Sequence, residues 1–117
     1  MLSFAPNLRI YLHARPTDMR KSFDGLCALV RNVFQADPLD GSLFLFVNRR
    51  GDRLKMLWWD RDGLAQFYKR LEAGSFEMLR PEGEAATVEI DATELAMLLS
   101  GVSLASARRR KRYSRAG

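Results

Sequence analysis

The stretch NRRGDRLKMLWWDRDGLAQFYKRLEAG, residues 48–74, combines a basic turn, both tryptophans, an acidic corner and an amphipathic segment. Asn48, Arg49, Arg50, Gly51 and Asp52 read as a hairpin connection, with Gly51 available for positive φ. The return strand is Arg53 to Trp59. Period two puts Leu54, Met56 and Trp58 on one face and Arg53, Lys55, Leu57 and Trp59 on the other. The tryptophans therefore face opposite ways: either a helix covers each face, or one tryptophan belongs to an exposed binding surface. Asp60 and Asp62 read as caps of a following helix with the stripe Leu64, Phe67, Tyr68 and Leu71, ended by a left-handed Gly74.

Working outward, Ser42 to Val47 (SLFLFV) is a short apolar run bounded by turns, as expected of a strand covered on both faces. The turn-rich ADPLDGS, residues 36–42, separates it from a helix whose apolar face is Met19, Phe23, Leu26, Val30, Val33 and Phe34. Thr17 or Asp18 is placed to cap that helix after Pro16. Gly25 inside it hints at close packing, and Cys27 reads as a small buried hydrophobe. Leu8 to Ala14 alternates as a strand, with Leu8, Ile10 and Leu12 inward and Arg9, Tyr11 and His13 outward. Beyond residue 74, Ser75–Leu79 and Ala86–Ile90 read as two strands. Asp91 with Glu94 makes a capping box for a helix bearing Leu95, Leu98, Leu99 and Val102, with Gly101 near its end. The expected fold is a single α+β domain with a mostly antiparallel sheet of about five strands and three helices. Residues 1–104 form that domain and 105–117 a basic flexible tail.

Composition bounds the partners. The chain of 117 residues is 47% hydrophobic, enough for a core, and carries one cysteine and one histidine. That excludes an internal disulfide and a cysteine-rich zinc site, and suits a reducing compartment. No apolar run reaches bilayer length and no signal-peptide order opens the chain, so a soluble, cytoplasmic protein without a membrane partner is expected. The net charge of +5 is unevenly placed. Residues 1–107 hold 13 cations and 14 acids, while Arg108, Arg109, Arg110, Lys111, Arg112 and Arg115 make the tail basic. Such a run suits a polyanion or serves as a solubilising end.

Three chemistries can be written on these residues. Arg49, Arg50, Arg53 and Lys55 can grip nucleic-acid phosphates from one hairpin, with nearby Tyr and Trp stacking on unpaired bases. Alternatively the hairpin is a solvated one whose arginines pair with Asp52, Asp60 and Asp62. An enzyme would have to use carboxylates: Asp60 and Asp62 with Asp52 or Asp18 holding Mg²⁺ for phosphodiester cleavage. All four have turn or capping roles that need no tertiary coincidence. No Gly-rich phosphate loop, serine elbow or Cys–His pair supports another mechanism. The expectation is therefore no catalytic residues, no metal and no cofactor.

The strings TDMRKSFDGLCALV (17–30) and RRGDRLKMLWWDRDGLAQFYKRLEAGSF (49–76) resemble hallmark segments of the TnpB, or second-open-reading-frame, family of insertion sequence sixty-six elements. The likeness runs from about Arg9 to Val102 and includes LAMLLSGV (95–102). The family shares only a name with far larger RNA-guided nucleases. Ser22 and Arg61 depart from it, where glycine and a small residue are common. The resemblance implies a non-catalytic accessory role in transposition, beside a larger transposase and a second small accessory protein of the same element. DNA is the expected ligand, at Arg49, Arg50, Arg53, Lys55, Arg108, Arg109, Arg110, Lys111 and Arg112. Arg20, Lys21, Trp59 and Asp60 are an expected interaction surface. An adaptor that binds no DNA, and a small metal-dependent nuclease, are the alternatives.

Overall fold

The computed structural model describes residues 7–79 and 83–104. Five strands form one sheet: β1 (Ile10–His13), β2 (Leu43–Val47), β3 (Arg53–Asp60), β4 (Gly63–Arg70) and β5 (Thr87–Ile90), in the order β4-β3-β2-β1-β5. Only β1 and β2 are parallel; every other pairing is antiparallel. The exception follows from the connection, because a helical segment long enough to cross the sheet separates those two strands. Central β2 is buried along its whole length, as its unbroken apolar run requires.

Helices cover the two faces. Helix α1 (Phe23–Leu29) continues into a wider π turn over Val30–Phe34. Leu26, Cys27 and Val30 pack there on Phe44, Phe46 and Leu57. Helix α2 (Ala92–Ser100) lays Leu95 and Leu98 against Ile10, Leu12, Leu45 and Met56 on the opposite face. Its capping box is complete: Glu94 N–H donates to Asp91 (2.7 Å) and Asp91 N–H to Glu94 Oε1 (3.2 Å). Gly101 closes it at φ 82°. Two cores thus sandwich the sheet. Period two sorts β1 and β3 between them as the sequence implies.

The segment after Asp60 is a strand, not a helix, so among the described residues two α-helices stand where three were expected. Leu64, Phe67 and Tyr68 fit helical spacing, but β3 would otherwise expose an open edge, and residues 63–70 pair with it over its whole length. Ladder pairing with packing overrides a weak helical preference. Asp60 accordingly pairs with Gly63 across a two-residue turn, Arg61-Asp62, instead of capping a helix, with Arg61 at φ 56° and Asp62 N–H donating to Asp60 O (2.6 Å). Ser75–Leu79 is not a strand; it runs beneath the sheet with Phe76 buried. The count of five survives because β4 takes its place.

Four smaller expectations also change. Helix α1 begins at Phe23 after Ser22, which gives no side-chain cap; the chain before it is tied to the sheet instead, as Thr17 N–H donates to Val47 O (2.8 Å). Phe23, assigned to the apolar stripe, is 41% exposed. Leu104, past the last periodic residue, is buried, and its N–H donates to Glu77 Oε2 (2.8 Å). His13, expected at the surface, is only 7% exposed. The π turn swings Phe34 over it, and Phe46 meets it edge-on. Its Nδ1 lies 3.1 Å from the hydroxyl oxygen of buried Thr17.

Burial, then the nearby Arg15 charge, pushes the His13 pKa below its ordinary 6.5. The unfolded chain therefore binds this proton more readily than the folded one. The stability contributed by neutral His13 is complete above about pH 6.5 and is lost as pH falls through the lower folded value. Denaturant melts should show falling stability on acidification from pH 6.5, ahead of carboxylate titration, and His13→Gln should flatten that part of the profile. A profile identical in both proteins would refute the assignment.

Candidate functional site

The turn between β2 and β3 is held from within and from below. Gly51 N–H donates to Asn48 O (3.1 Å), leaving Arg49 and Arg50 at its two corners. The Asn48 side chain crosses it, donating to Asp52 Oδ1 (2.7 Å) and accepting from Arg53 N–H (3.0 Å). Beneath, Gly51 O accepts from Phe76 N–H and Asp52 O from Leu71 N–H, both at 2.7 Å. Gly51, at φ 76°, is the residue that permits this path.

Facing the turn across an open cleft of about 520 Å³ is the segment Pro16-Thr17-Asp18-Met19. The two family-like stretches, some thirty positions apart in sequence, thus build opposite walls of one depression. Lys55 joins them: its ammonium donates to Met19 O (2.8 Å) and Lys21 O (2.7 Å), and the residue is 4% exposed.

Charge in the cleft is unbalanced. Asp18 is engaged by the Arg20 guanidinium (2.7 Å) and its backbone N–H (2.9 Å), which bring its pKa down to about 2. Asp52 is held below the ordinary carboxylate range, first by the Asn48 amide, with Arg50 and Arg53 adding. Arg53 donates to the Tyr68 hydroxyl (3.0 Å). Arg49 and Arg50 are exposed, and among the described residues neither has a carboxylate within 4.0 Å. With Asp18 matched by Arg20, Arg49, Arg50 and Arg53 face one remaining carboxylate, a local excess of two positive charges. The described ion pairs are Arg9–Glu89, Arg20–Asp18 and Arg70–Glu72, so pairing of the turn's arginines with Asp52, Asp60 or Asp62 is not found there.

The predicted residues separate into groups. Arg49, Arg50 and Arg53 come together at the cleft. Lys55 is not presented beside them, because its ammonium is spent on the two carbonyls and on the Tyr68 ring, 4.7 Å from the centroid. Arg20 lies at the cleft's edge, bound to Asp18, while the Lys21 stem packs on Gly25, where an added Cβ would meet it at 3.1 Å. Trp59 and Asp60 sit at the end of β3 away from the turn. Trp58 packs on the α2-side core, and half-buried Trp59 lies opposite Leu64 on the other face. Arg108–Arg112 lie outside the described residues.

The proposed Mg²⁺ ligands do not converge. Asp52 precedes β3 and Asp60 ends it, eight residues or roughly 26 Å of strand apart. Among the described residues no three His, Cys, Asp or Glu side chains are grouped as a metal would need, and no helix there is long and apolar enough to cross a membrane. Sequence reasoning missed Asn48 as the clamp and Pro16–Met19 as the second wall. An Asn three residues before Gly was a usable signal for the first; the second depends on a long-range contact.

These features define a class: a small α+β scaffold presenting an arginine-edged cleft with a local excess of positive charge. The comparisons narrow it. The chain belongs to the IS66 Orf2-like protein family, whose model matches residues 8–109. It is 39% identical over 102 residues to the uncharacterized protein y4hO of Sinorhizobium fredii, covering 87% of each chain. It is 32% identical over 110 residues to y4jC of the same organism, covering 94% of this chain and 92% of that one. No solved structure matches. Family membership makes this a transposition-associated protein of the insertion-sequence type.

Proposed function

We propose that this protein is a non-catalytic accessory factor in transposition that binds DNA through the arginine-edged cleft, beside the element's transposase and second small protein. The observation that carries the reading is the pair Arg49 and Arg50, exposed on a turn fixed by hydrogen bonds among Asn48, Gly51, Asp52, Arg53, Leu71 and Phe76. Cations held without carboxylate partners displace the counterions condensed on DNA phosphates and lose little side-chain pairing in doing so. The basic residues 108–112 supply a second, longer-range attraction.

Binding to element-end DNA, measured across a salt series, tests this. Arg49→Ala/Arg50→Ala should weaken binding and make the slope of log K against log salt shallower by about 2, one per lost phosphate contact. Deleting residues 108–117 should remove up to about 5 more. Absence of binding at low salt would defeat the DNA reading. Co-purification with the transposase that survives both changes but is lost in Trp59→Ala would favour the adaptor alternative.

A further inference from the structure

We infer that the strand bound at this cleft is unpaired, and that the Tyr68 ring is the platform on which one of its bases stacks; this rests on the DNA reading above. Tyr68 is on edge strand β4 directly opposite Lys55. The Lys55 ammonium lies 4.7 Å from the ring centroid, and because Lys55 is buried that is the ring's inner face. The residue is nevertheless 45% exposed, so the outer face is open to solvent. The ring is fixed at two points: the ammonium, itself anchored on Met19 O and Lys21 O, and the hydroxyl, which accepts from Arg53. Arg53 also lines the cleft with Arg49 and Arg50. A rigid aromatic face therefore continues the arginine wall.

Cations that track a backbone next to an aromatic plane are the two parts of a single-strand site. In a duplex both faces of every internal base are already stacked, so the open face of Tyr68 would gain nothing. An unpaired base offers a free π-face, and a ring already immobilised loses little freedom on binding. Arg53 links the parts, since one guanidinium touches the tyrosine hydroxyl while its residue borders the phosphate-facing cleft.

The test compares a labelled single strand with the same sequence as duplex, using the full chain. The single strand should bind more tightly. Tyr68→Ala and Tyr68→Leu should each weaken single-strand binding on the order of tenfold and duplex binding by much less. Tyr68→Phe, which keeps the ring, should retain most of it. A 2-aminopurine base in the strand should be quenched by the wild type and by Tyr68→Phe only. Tyr68→Leu, which keeps an apolar strand residue, guards against loss of folding in the alanine variant. Wild-type single-strand affinity in both Tyr68→Ala and Tyr68→Leu, with Arg49→Ala/Arg50→Ala still defective, would overturn the stacking role and leave the DNA reading standing. Binding of neither DNA form would remove both.

Discussion

Lys55→Met is expected to lower folding stability by about 2–3 kcal/mol, roughly 10 °C in Tm for a domain of this size. Methionine keeps most of the unbranched stem but deletes the ammonium that holds Met19 O and Lys21 O. A hydrogen bond to a charged group contributes about 1.5–3 kcal/mol, and there are two. Two effects reduce the sum. The penalty for burying the ammonium disappears, and the carbonyls belong to a partly exposed segment that water can reach. A urea melt checks the value; a loss under about 0.5 kcal/mol would show that burying the charge costs as much as its carbonyl bonds return. Loosening 16–21 should also weaken DNA binding without altering its salt slope, because no phosphate contact is removed.

Gly51→Val is expected to destabilise by a similar 2–3 kcal/mol. A φ of 76° places any Cβ against backbone, and a β-branched residue tolerates this least. The new atom would also stand 3.4 Å from the Ser75 Cβ and 3.8 Å from Phe76 O. Graded substitutions separate these causes. Gly51→Asn, whose side chain accepts left-handed backbone, should lose least, Gly51→Ala more and Gly51→Val most. Thermal melts giving Gly51→Ala wild-type stability would contradict a fixed left-handed conformation here. Since the same turn positions Arg49 and Arg50, DNA affinity should follow the same order.

What could be read in advance was local. The turn at Asn48–Asp52, the capping box at Asp91 and Glu94 and the fully apolar β2 each state their structure within a few neighbouring residues. Residues 63–70 do not. Leu64, Phe67, Tyr68 and Leu71 fit a helix, and the deciding factor was the unpaired edge of β3. The turn signal was also muted, because the left-handed position holds Arg61 and not a glycine. His13 and Lys55 were misplaced for one reason: both belong to types usually found outside, and their burial depends on distant partners, Phe34 and Thr17 for one, Met19 and Lys21 for the other. At the site, the arginines were legible and the opposite wall was not, since a backbone bond from Thr17 to Val47 brings it there.

Strand β1 lies beside β5, with Arg9 and Glu89 paired across 80 residues. This sets an order of assembly. The β2–β3–β4 meander closes through contacts near in sequence, whereas β5 must wait for almost the whole chain and a costly loop closure. A nascent chain extending through Phe76 already contains both cleft walls and the turn's supports. It still lacks α2, and Leu12, Leu45 and Met56 await the side chains of Leu95 and Leu98. Synthesis thus completes the arginine-bearing half while the opposite apolar face remains bare, making that interval the one in which the protein is most exposed to aggregation.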